Sequence, residues 1–184
     1  MFEIIGQAGV GKSFVLDCFK DLLGEQALVL AQSGKAAVNV NGSTIHSAFG
    51  FGTESLTHGI KELHPETKKD LRIMFRPINY IFIDEISLVD KKLFGAVEQR
   101  ARVVKENDYI WGKMNLVLLG DFSQMKPVKG RSLFHKEISD DKPMHKHGKK
   151  MYDMFKDCIV FDEIKRQEQT IPDRNIHTED EYLM

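Results

Sequence analysis

Residues 6–13 have the sequence GQAGVGKS, which satisfies the pattern G-x-x-x-x-G-K-[ST] at every fixed position. The apolar run from Phe2 to Ile5 precedes it and predicts a buried strand. Lys12 to Leu23 follows with apolar residues at helical spacing, and Gly24 is a natural end for that helix. A strand, a glycine-rich turn and a helix in this order are the context that a phosphate-binding loop requires.

The chemistry of this loop suits the phosphates of a nucleotide. Its glycines let the backbone wrap closely around phosphate oxygens with N–H groups pointing inward, and the following helix adds the dipole of its N-terminus. Lys12 would reach the β- and γ-phosphates of ATP, and the Ser13 hydroxyl would bind Mg²⁺. A chance glycine-rich turn before a helix is the alternative. The predicted nucleotide-binding residues are Gly6, Gln7, Ala8, Gly9, Val10, Gly11, Lys12 and Ser13.

Further apolar runs that resemble buried strands lie at residues 27–31, 80–83, 116–119 and 158–161. Stretches with helical character separate them, including Lys91 to Val104 and Lys149 to Lys156. Buried strands that alternate with helices predict an α/β fold with a mainly parallel sheet. We predict a loop from Phe51 to Lys69 with a short helix beginning at Pro65, and a surface excursion from Lys126 to Lys150.

The run at residues 80–83 ends in two acidic residues, Asp84 and Glu85. After a phosphate-binding loop, this is the Walker B position, where Asp84 would hold Mg²⁺ through a water molecule. Glu85 would orient or deprotonate an attacking water. A second acid at this position is common in ATP-hydrolysing motors, whereas many P-loop kinases and GTPases lack it. The alternative is a pair of solvated acids that cap the following helix.

Another predicted strand also ends in polar residues, because the run at 116–119 leads into Asp121 and Gln124. Binding sites of open parallel sheets lie at the carboxyl ends of their strands. The Gln124 amide is therefore a candidate sensor of the γ-phosphate or of the attacking water. Ordinary turn chemistry is the alternative for both residues.

Composition narrows the class of protein. The chain of 184 residues is long enough for one buried core, and its formal net charge of −1 means that any DNA contact needs a local patch. Cys18 and Cys158 lie in apolar runs and are predicted as core residues in a reducing compartment. Without a signal peptide or a membrane-length apolar run, we expect an intracellular protein of the nucleus, mitochondrion or cytoplasm, with no membrane partner.

Four segments together resemble the PIF/RecD branch of superfamily-1 DNA helicases in their order and spacing. They are GQAGVGKS at 6–13, GSTIHSAFG at 42–50, IDEISLV at 83–89 and GDFSQMKPV at 120–128. DEIKRQ at 162–167 is similar to the family's fourth motif, which ends in Arg-Gln. The resemblance therefore extends from about Ile4 to Gln167.

The resemblance implies a RecA-like, three-layer α/β/α fold that uses ATP and Mg²⁺ to move along single-stranded DNA in the five-prime to three-prime direction and to unwind duplexes. It also implies work in DNA repair, recombination and telomere maintenance. The implied catalytic residues are Lys12, Glu85, Gln124 and Arg166, and the implied metal ligands are Ser13 and Asp84. Arg166 would act as an arginine finger on charge that develops in the transition state, although a surface arginine is the alternative.

Family positions that touch the DNA backbone correspond here to Ser33, Lys35, Thr44 and His46. Hydroxyl, ammonium and backbone N–H groups are suitable partners for phosphate. Phe49 and Phe51 are candidates for stacking on bases. The alternatives are a helix cap at Ser33 and core packing for the phenylalanines, and we expect core packing for at least one of them.

We predict a motor lobe over residues 1–167 and a polar, acidic tail over 168–184 that is disordered or begins a second lobe. The main hypothesis is one lobe of an ATP-dependent DNA helicase, with the second lobe in cis in a longer protein or in trans. Such a lobe should bind ATP but hydrolyse it slowly alone. The alternatives are a helicase remnant that binds nucleotide and DNA without productive catalysis, and a different P-loop ATPase such as a small kinase.

Overall fold

A computed structural model describes residues 1–52, 56, 59–123, 127, 130–135 and 142–163. Its strands are β1 (Phe2–Gly6), β2 (Ala27–Ala31), β3 (Ser43–Thr44), β4 (Tyr80–Asp84), β5 (Asn115–Gly120) and β6 (Asp157–Phe161). They form one sheet in the order β3-β2-β4-β5-β1-β6, and each pair of neighbours is parallel. The predicted α/β class and parallel sheet are confirmed.

Helices connect these strands. They are α1 (Lys12–Leu23), α2 (Gly34–Asn39), α3 (Ile45–Ala48), α4 (Pro65–Phe75), α5 (Lys91–Lys105) and α6 (Pro143–Tyr152), with short 3₁₀ turns at Gly24–Gln26, Ile86–Leu88 and Ile110–Lys113. The predicted helices that begin at Lys12, Pro65 and Lys91 are confirmed. None of the helices in the described part of the chain has both the length and the apolar composition needed to span a membrane.

Alternate residues of the central strands face two different helical layers, as the pleat of a strand requires. Phe82 of β4 packs in one cluster with Leu16 of α1. Its neighbour Ile83 packs in the larger cluster on the other face, with Phe94 of α5 and Met144 of α6. Helices therefore cover both faces of the sheet, and the predicted three-layer α/β/α arrangement is confirmed.

The surface excursion predicted for Lys126 to Lys150 is wrong at its end, because α6 packs tightly against α5. Two glycines allow this close approach. A β-carbon on Gly95 would lie 2.8 Å from the carbonyl oxygen of Met144, and a β-carbon on Gly148 would lie 2.7 Å from the carbonyl carbon of Lys91. The helix predicted from Lys149 accordingly begins earlier in the structure.

A buried carboxylate on α5 joins three elements of this layer. Glu98 is fully buried, and its carboxylate accepts hydrogen bonds from Arg102 Nε at 2.6 Å and from the Trp111 N–H at 3.2 Å. His147 Nε2 of α6 lies 2.8 Å from the other carboxylate oxygen. Burial alone would raise the pKa of Glu98, but the bonds from His147, Arg102 and Trp111 outweigh it and hold that pKa below its ordinary value.

The cysteines are not core residues, and that prediction is wrong. Cys18 lies on the outer face of α1, where Phe14 and Leu22 are also exposed, because the helix buries Leu16 instead. Cys158 is exposed on β6, which is the edge strand of the sheet. The apolar runs around both cysteines indicated a helix and a strand, but each run has an outward face.

Candidate nucleotide-binding site

The parallel sheet brings the carboxyl ends of its strands to one edge. Ala31 at the end of β2 is paired with Asp84 of β4 on one side and with Thr44 of β3 on the other. Ile5 of β1 is paired with Gly120 at the end of β5. The phosphate-binding loop after β1 and the acidic residues after β4 and β5 therefore share this edge, as expected for a ligand site of an open parallel sheet.

The loop between β1 and α1 depends on its glycines. Gly9 and Gly11 have φ angles of 88° and 97°, a left-handed region that residues with a β-carbon rarely adopt. Gly6 is required for a different reason, since a β-carbon there would lie 2.5 Å from the carbonyl oxygen of Phe161 and 2.8 Å from a methyl group of Val10. The loop is thus pressed against β6 and curls tightly into the first turn of α1.

Lys12 is held over this loop. Its ammonium donates hydrogen bonds to the carbonyl oxygens of Gly6 at 2.6 Å and Gln7 at 2.8 Å. Burial lowers the pKa of Lys12, and the carboxylates of Asp121 and Asp84 partly offset that effect. The ammonium therefore lies where the strand ends converge, among carbonyl and carboxylate oxygens.

Asp84 ends β4 and Glu85 follows it, and the two side chains have different surroundings. Burial raises the pKa of Asp84, while a hydrogen bond from the Glu85 backbone and the charge of Lys12 oppose that rise. Burial and the charge of Asp84 also raise the pKa of Glu85, and Lys35 opposes them. The backbone of Glu85 is left-handed, with a φ of 51°, so the chain turns sharply directly after Asp84. A carboxylate with a raised pKa is a stronger base, which suits a proton acceptor.

The donor set fits Mg²⁺ better than zinc. Ser13 presents an exposed hydroxyl in the first turn of α1, and Asp84 contributes a half-buried carboxylate. Among the described residues, His, Cys, Asp and Glu side chains form no group of three that could hold a metal ion. Mg²⁺ prefers oxygen ligands and commonly takes only one or two from protein, with phosphates and water completing its shell. When bound, the ion would neutralise phosphate charge.

The residues after β5 form a tight turn. The carboxylate of Asp121, which is buried, accepts hydrogen bonds from the backbone N–H of Ser123 at 2.9 Å and from its hydroxyl at 2.5 Å. The alternative role of Asp121 in stabilising a turn is therefore present, yet the charge of the same side chain also raises the pKa of Lys12. Gln124 and Arg166 lie outside the described residues, and their roles stay predictions.

The residues predicted to bind DNA lie near the same edge of the sheet. The Ser33 hydroxyl caps α2 by accepting from the Ala36 N–H at 3.2 Å, so the alternative weighed for Ser33 is present. The Thr44 hydroxyl caps α3 in the same way, at 3.2 Å from the Ser47 N–H. Lys35 is exposed in the first turn of α2. Both hydroxyls keep a hydrogen that a phosphate oxygen could accept.

The aromatic residues after α3 divide as expected. Phe49 is fully buried and packs against Phe75, with ring centroids 5.0 Å apart, which confirms core packing for one of the pair. Phe51 is half-buried, stacks on Phe49 at 6.0 Å and lies under the Arg100 guanidinium at 5.4 Å. His46 meets the edge of the Phe51 ring at 6.2 Å. The exposed part of this cluster is therefore the His46 and Phe51 side.

Two electrostatic effects at the site were missed by reasoning from the sequence. The sequence suggested Lys35 only as a DNA contact, yet its charge lowers the pKa of Glu85. The charge of Asp121 likewise raises the pKa of Lys12. The position of Asp121 at a predicted strand end was a usable signal. The effect of the Lys35 charge on Glu85 depends on the pairing of β2 with β4, which the sequence does not specify.

A parallel sheet with this loop at its edge, and with acidic residues after two neighbouring strands, defines a P-loop nucleotide-binding domain. The chain belongs to the PIF1-like helicase family, because the sequence model of that family matches residues 1–171.

Relatives of the chain include two ATP-dependent DNA helicases. Over 130 residues the chain is 38% identical to the ATP-dependent DNA helicase RRM3 of Saccharomyces cerevisiae, covering 67% of this chain and 18% of that protein. Over 128 residues it is 34% identical to the ATP-dependent DNA helicase Pif1 of Bdellovibrio bacteriovorus, covering 68% of this chain and 29% of the relative. The chain thus spans less than a third of either relative.

Solved structures of Pif1 helicases share the fold. One shows two coordinating Pif1 helicases at forked double-stranded DNA, with a TM-score of 0.69 and 26% identity over 93% of this chain and 41% of that one. Another, Bacteroides Pif1 bound to single-stranded DNA, has a TM-score of 0.64 and 25% identity over 89% of this chain and 38% of that one. The likeness agrees with the predicted RecA-like fold.

Proposed function

We propose that this chain is the ATP-binding lobe of a DNA helicase that hydrolyses ATP to move along single-stranded DNA and unwind duplexes. The observation that carries the proposal is the convergence of Lys12, Asp84, Glu85 and Asp121 at the sheet edge that also holds the phosphate-binding loop. Family membership and the helicases named among its relatives support the same activity.

In this proposal, each side chain has a separate task. The ammonium of Lys12 exchanges its bonds to the loop carbonyls for phosphate oxygens, and the backbone N–H groups of the loop enclose those oxygens. Asp84 and Ser13 would hold Mg²⁺, which would neutralise phosphate charge when bound. Glu85 accepts a proton from the attacking water, and Gln124 and Arg166 stabilise the γ-phosphate as it is transferred.

DNA is proposed to cross the same edge of the sheet at Ser33, Lys35, Thr44 and His46, with a five-prime to three-prime direction of movement. A second helicase lobe, in cis or in trans, would close on the nucleotide and complete the site. We propose an intracellular place of action, in whichever compartment holds the target DNA.

The deciding experiment measures ATP binding and ATP turnover by this chain, with and without single-stranded DNA, beside Lys12→Ala and Glu85→Gln. We expect nucleotide binding that Lys12→Ala abolishes and Glu85→Gln retains. General base catalysis contributes about 10²–10⁴-fold, so turnover should fall by that factor in Glu85→Gln.

The outcomes separate the candidate functions. DNA-stimulated turnover that both variants lose supports a working motor. Lys12-dependent binding with negligible turnover, even after addition of the second lobe of a PIF1-like relative, would favour a binding module without productive catalysis. Binding that survives Lys12→Ala would refute the proposed site.

A further inference from the structure

A cavity of about 390 Å³ lies between α5 and the segment that leads into α4. This volume falls in the range of about 300–1,000 Å³ that is typical of small-ligand sites. The apolar part of its wall is formed by Ile60, Leu63, Pro65 and Val103. Ile60, Leu63 and Val103 are only half-buried, so each still offers apolar surface to a ligand.

Positive charge predominates in the rest of the wall. Lys61, Lys68 and Arg100 line the cavity beside the carboxylate of Glu62. Arg100 is only 3% exposed, whereas Lys61 and Glu62 lie at the open side and Lys68 is half-buried. A guanidinium stays charged at any ordinary pH, so the buried part of the wall keeps its positive charge. The cavity therefore favours a ligand with an apolar part and an anionic part.

Arg100 connects this cavity with the aromatic residues after α3. Its Nη2 donates a hydrogen bond to the carbonyl oxygen of Lys61 at 2.9 Å, which ties the segment before α4 to α5. The guanidinium carbon also lies 5.4 Å from the centroid of the Phe51 ring, within the range of a cation–π contact. Phe51 in turn meets the ring of His46. Contacts therefore lead from the cavity to His46, a residue that we predict to touch the DNA backbone.

We propose that this cavity binds one nucleotide of single-stranded DNA, with the base against the apolar wall and the phosphate near Lys61 and Lys68. The inference rests on the proposed function, because it assumes that DNA passes His46 and Phe51. Proteins that bind single strands combine cations along the phosphates with surfaces that hold the bases, and this cavity offers both. A free mononucleotide has the same chemistry, so the experiment has an arm for each source.

The first arm measures binding of fluorescein-labelled oligothymidine by fluorescence anisotropy, with urea denaturation as the check that each variant folds. Val103→Trp fills the cavity and should weaken binding by about fivefold or more, the lower end of what one stacked base contributes. Val103→Ala leaves the cavity open and should bind nearly as tightly as the wild type. Lys68→Met should reduce the slope of log affinity against log salt by about 0.7. Lys69→Met removes an exposed lysine of the same helix and should leave that slope unchanged.

The second arm follows the backbone amide resonances of residues 60–68 and Val103 by NMR, with oligothymidine and separately with thymidine monophosphate. Shifts caused by oligothymidine, which Val103→Trp abolishes, support the proposal whether or not the mononucleotide also causes them. Shifts caused by the mononucleotide alone overturn DNA as the source.

Two further results count against the proposal. If oligothymidine binds without these shifts, and with equal affinity in the wild type, Val103→Trp and Lys68→Met, the cavity is not part of the DNA path. If the wild type binds no oligothymidine, the DNA contacts of the proposed function fail as well. ATP binding that depends on Lys12 is measured separately, so failure of the cavity is distinguishable from failure of the nucleotide-binding site.

Discussion

Replacing Gly148 by alanine tests how closely α5 and α6 must approach. A β-carbon at this position would lie 2.7 Å from the carbonyl carbon of Lys91 and 3.0 Å from the N–H nitrogen of Gly95, inside ordinary contact. Both neighbours are helix backbone and cannot rotate away, so the helices must separate by about 1 Å. The 2.8 Å contact between His147 and Glu98 would then exceed hydrogen-bond length.

The expected loss of stability combines three effects. Overpacking costs about 1–3 kcal/mol, and a lost hydrogen bond to a charged group costs about 1.5–3 kcal/mol, while alanine regains about 1 kcal/mol of helix propensity. The net destabilisation should therefore be about 1.5–5 kcal/mol. Gly34→Ala is the matched control, because a β-carbon there meets no atom within 4 Å.

Urea denaturation followed by circular dichroism measures both variants. We expect a large fall in the midpoint for Gly148→Ala and a change of about 1 kcal/mol or less for Gly34→Ala. Equal stabilities for the wild type and Gly148→Ala would refute the close packing of the two helices. A loss of equal size in both variants would show that the effect belongs to glycine replacement in general.

Three further outcomes are expected. The partners of Glu98 hold its folded pKa below the ordinary value of 4.5. The contribution of Glu98 to stability is therefore complete above that value and is lost as the pH falls through the folded pKa. The difference in urea midpoint between the wild type and Glu98→Gln should accordingly shrink on acidification. Ser33→Ala should cost about 0.5–2 kcal/mol through the lost cap, measured by thermal unfolding. Ser33→Asp keeps a capping oxygen but repels phosphate, so it should weaken binding of oligothymidine while retaining stability, and unchanged binding would exclude Ser33 as a DNA contact.

The strands and the phosphate-binding loop were predictable because each depends on residues close together in the sequence. The run 80–83 is apolar throughout, which marks a strand buried on both faces, and β4 extends it by only one residue. The loop is likewise determined locally, since Gly9 and Gly11 supply the positive φ angles that its curl requires. Glu85 and Lys12 therefore lie where the pattern of residues indicated.

The α5–α6 layer was not predictable from local pattern, because it is specified by contacts between distant segments. His147 is separated from Glu98 by 49 residues, and nothing near His147 indicates that a buried carboxylate will meet it. The lysines and histidines around it suggested a solvated surface. Gly148 contributes no side chain that a periodicity argument could register, yet it permits the close contact with α5.

The contact between Gly6 and Phe161 couples the edge strand β6 to the start of the phosphate-binding loop. With only 2.5 Å between the Phe161 carbonyl oxygen and the place where a β-carbon of residue 6 would stand, no compliant side chain separates the two backbones. Gly6 is also paired with Phe161 in the sheet, so backbone atoms alone connect the end of β6 to the first residue of the phosphate-binding loop. A shift of the end of β6 would therefore displace the first residue of the phosphate-binding loop directly.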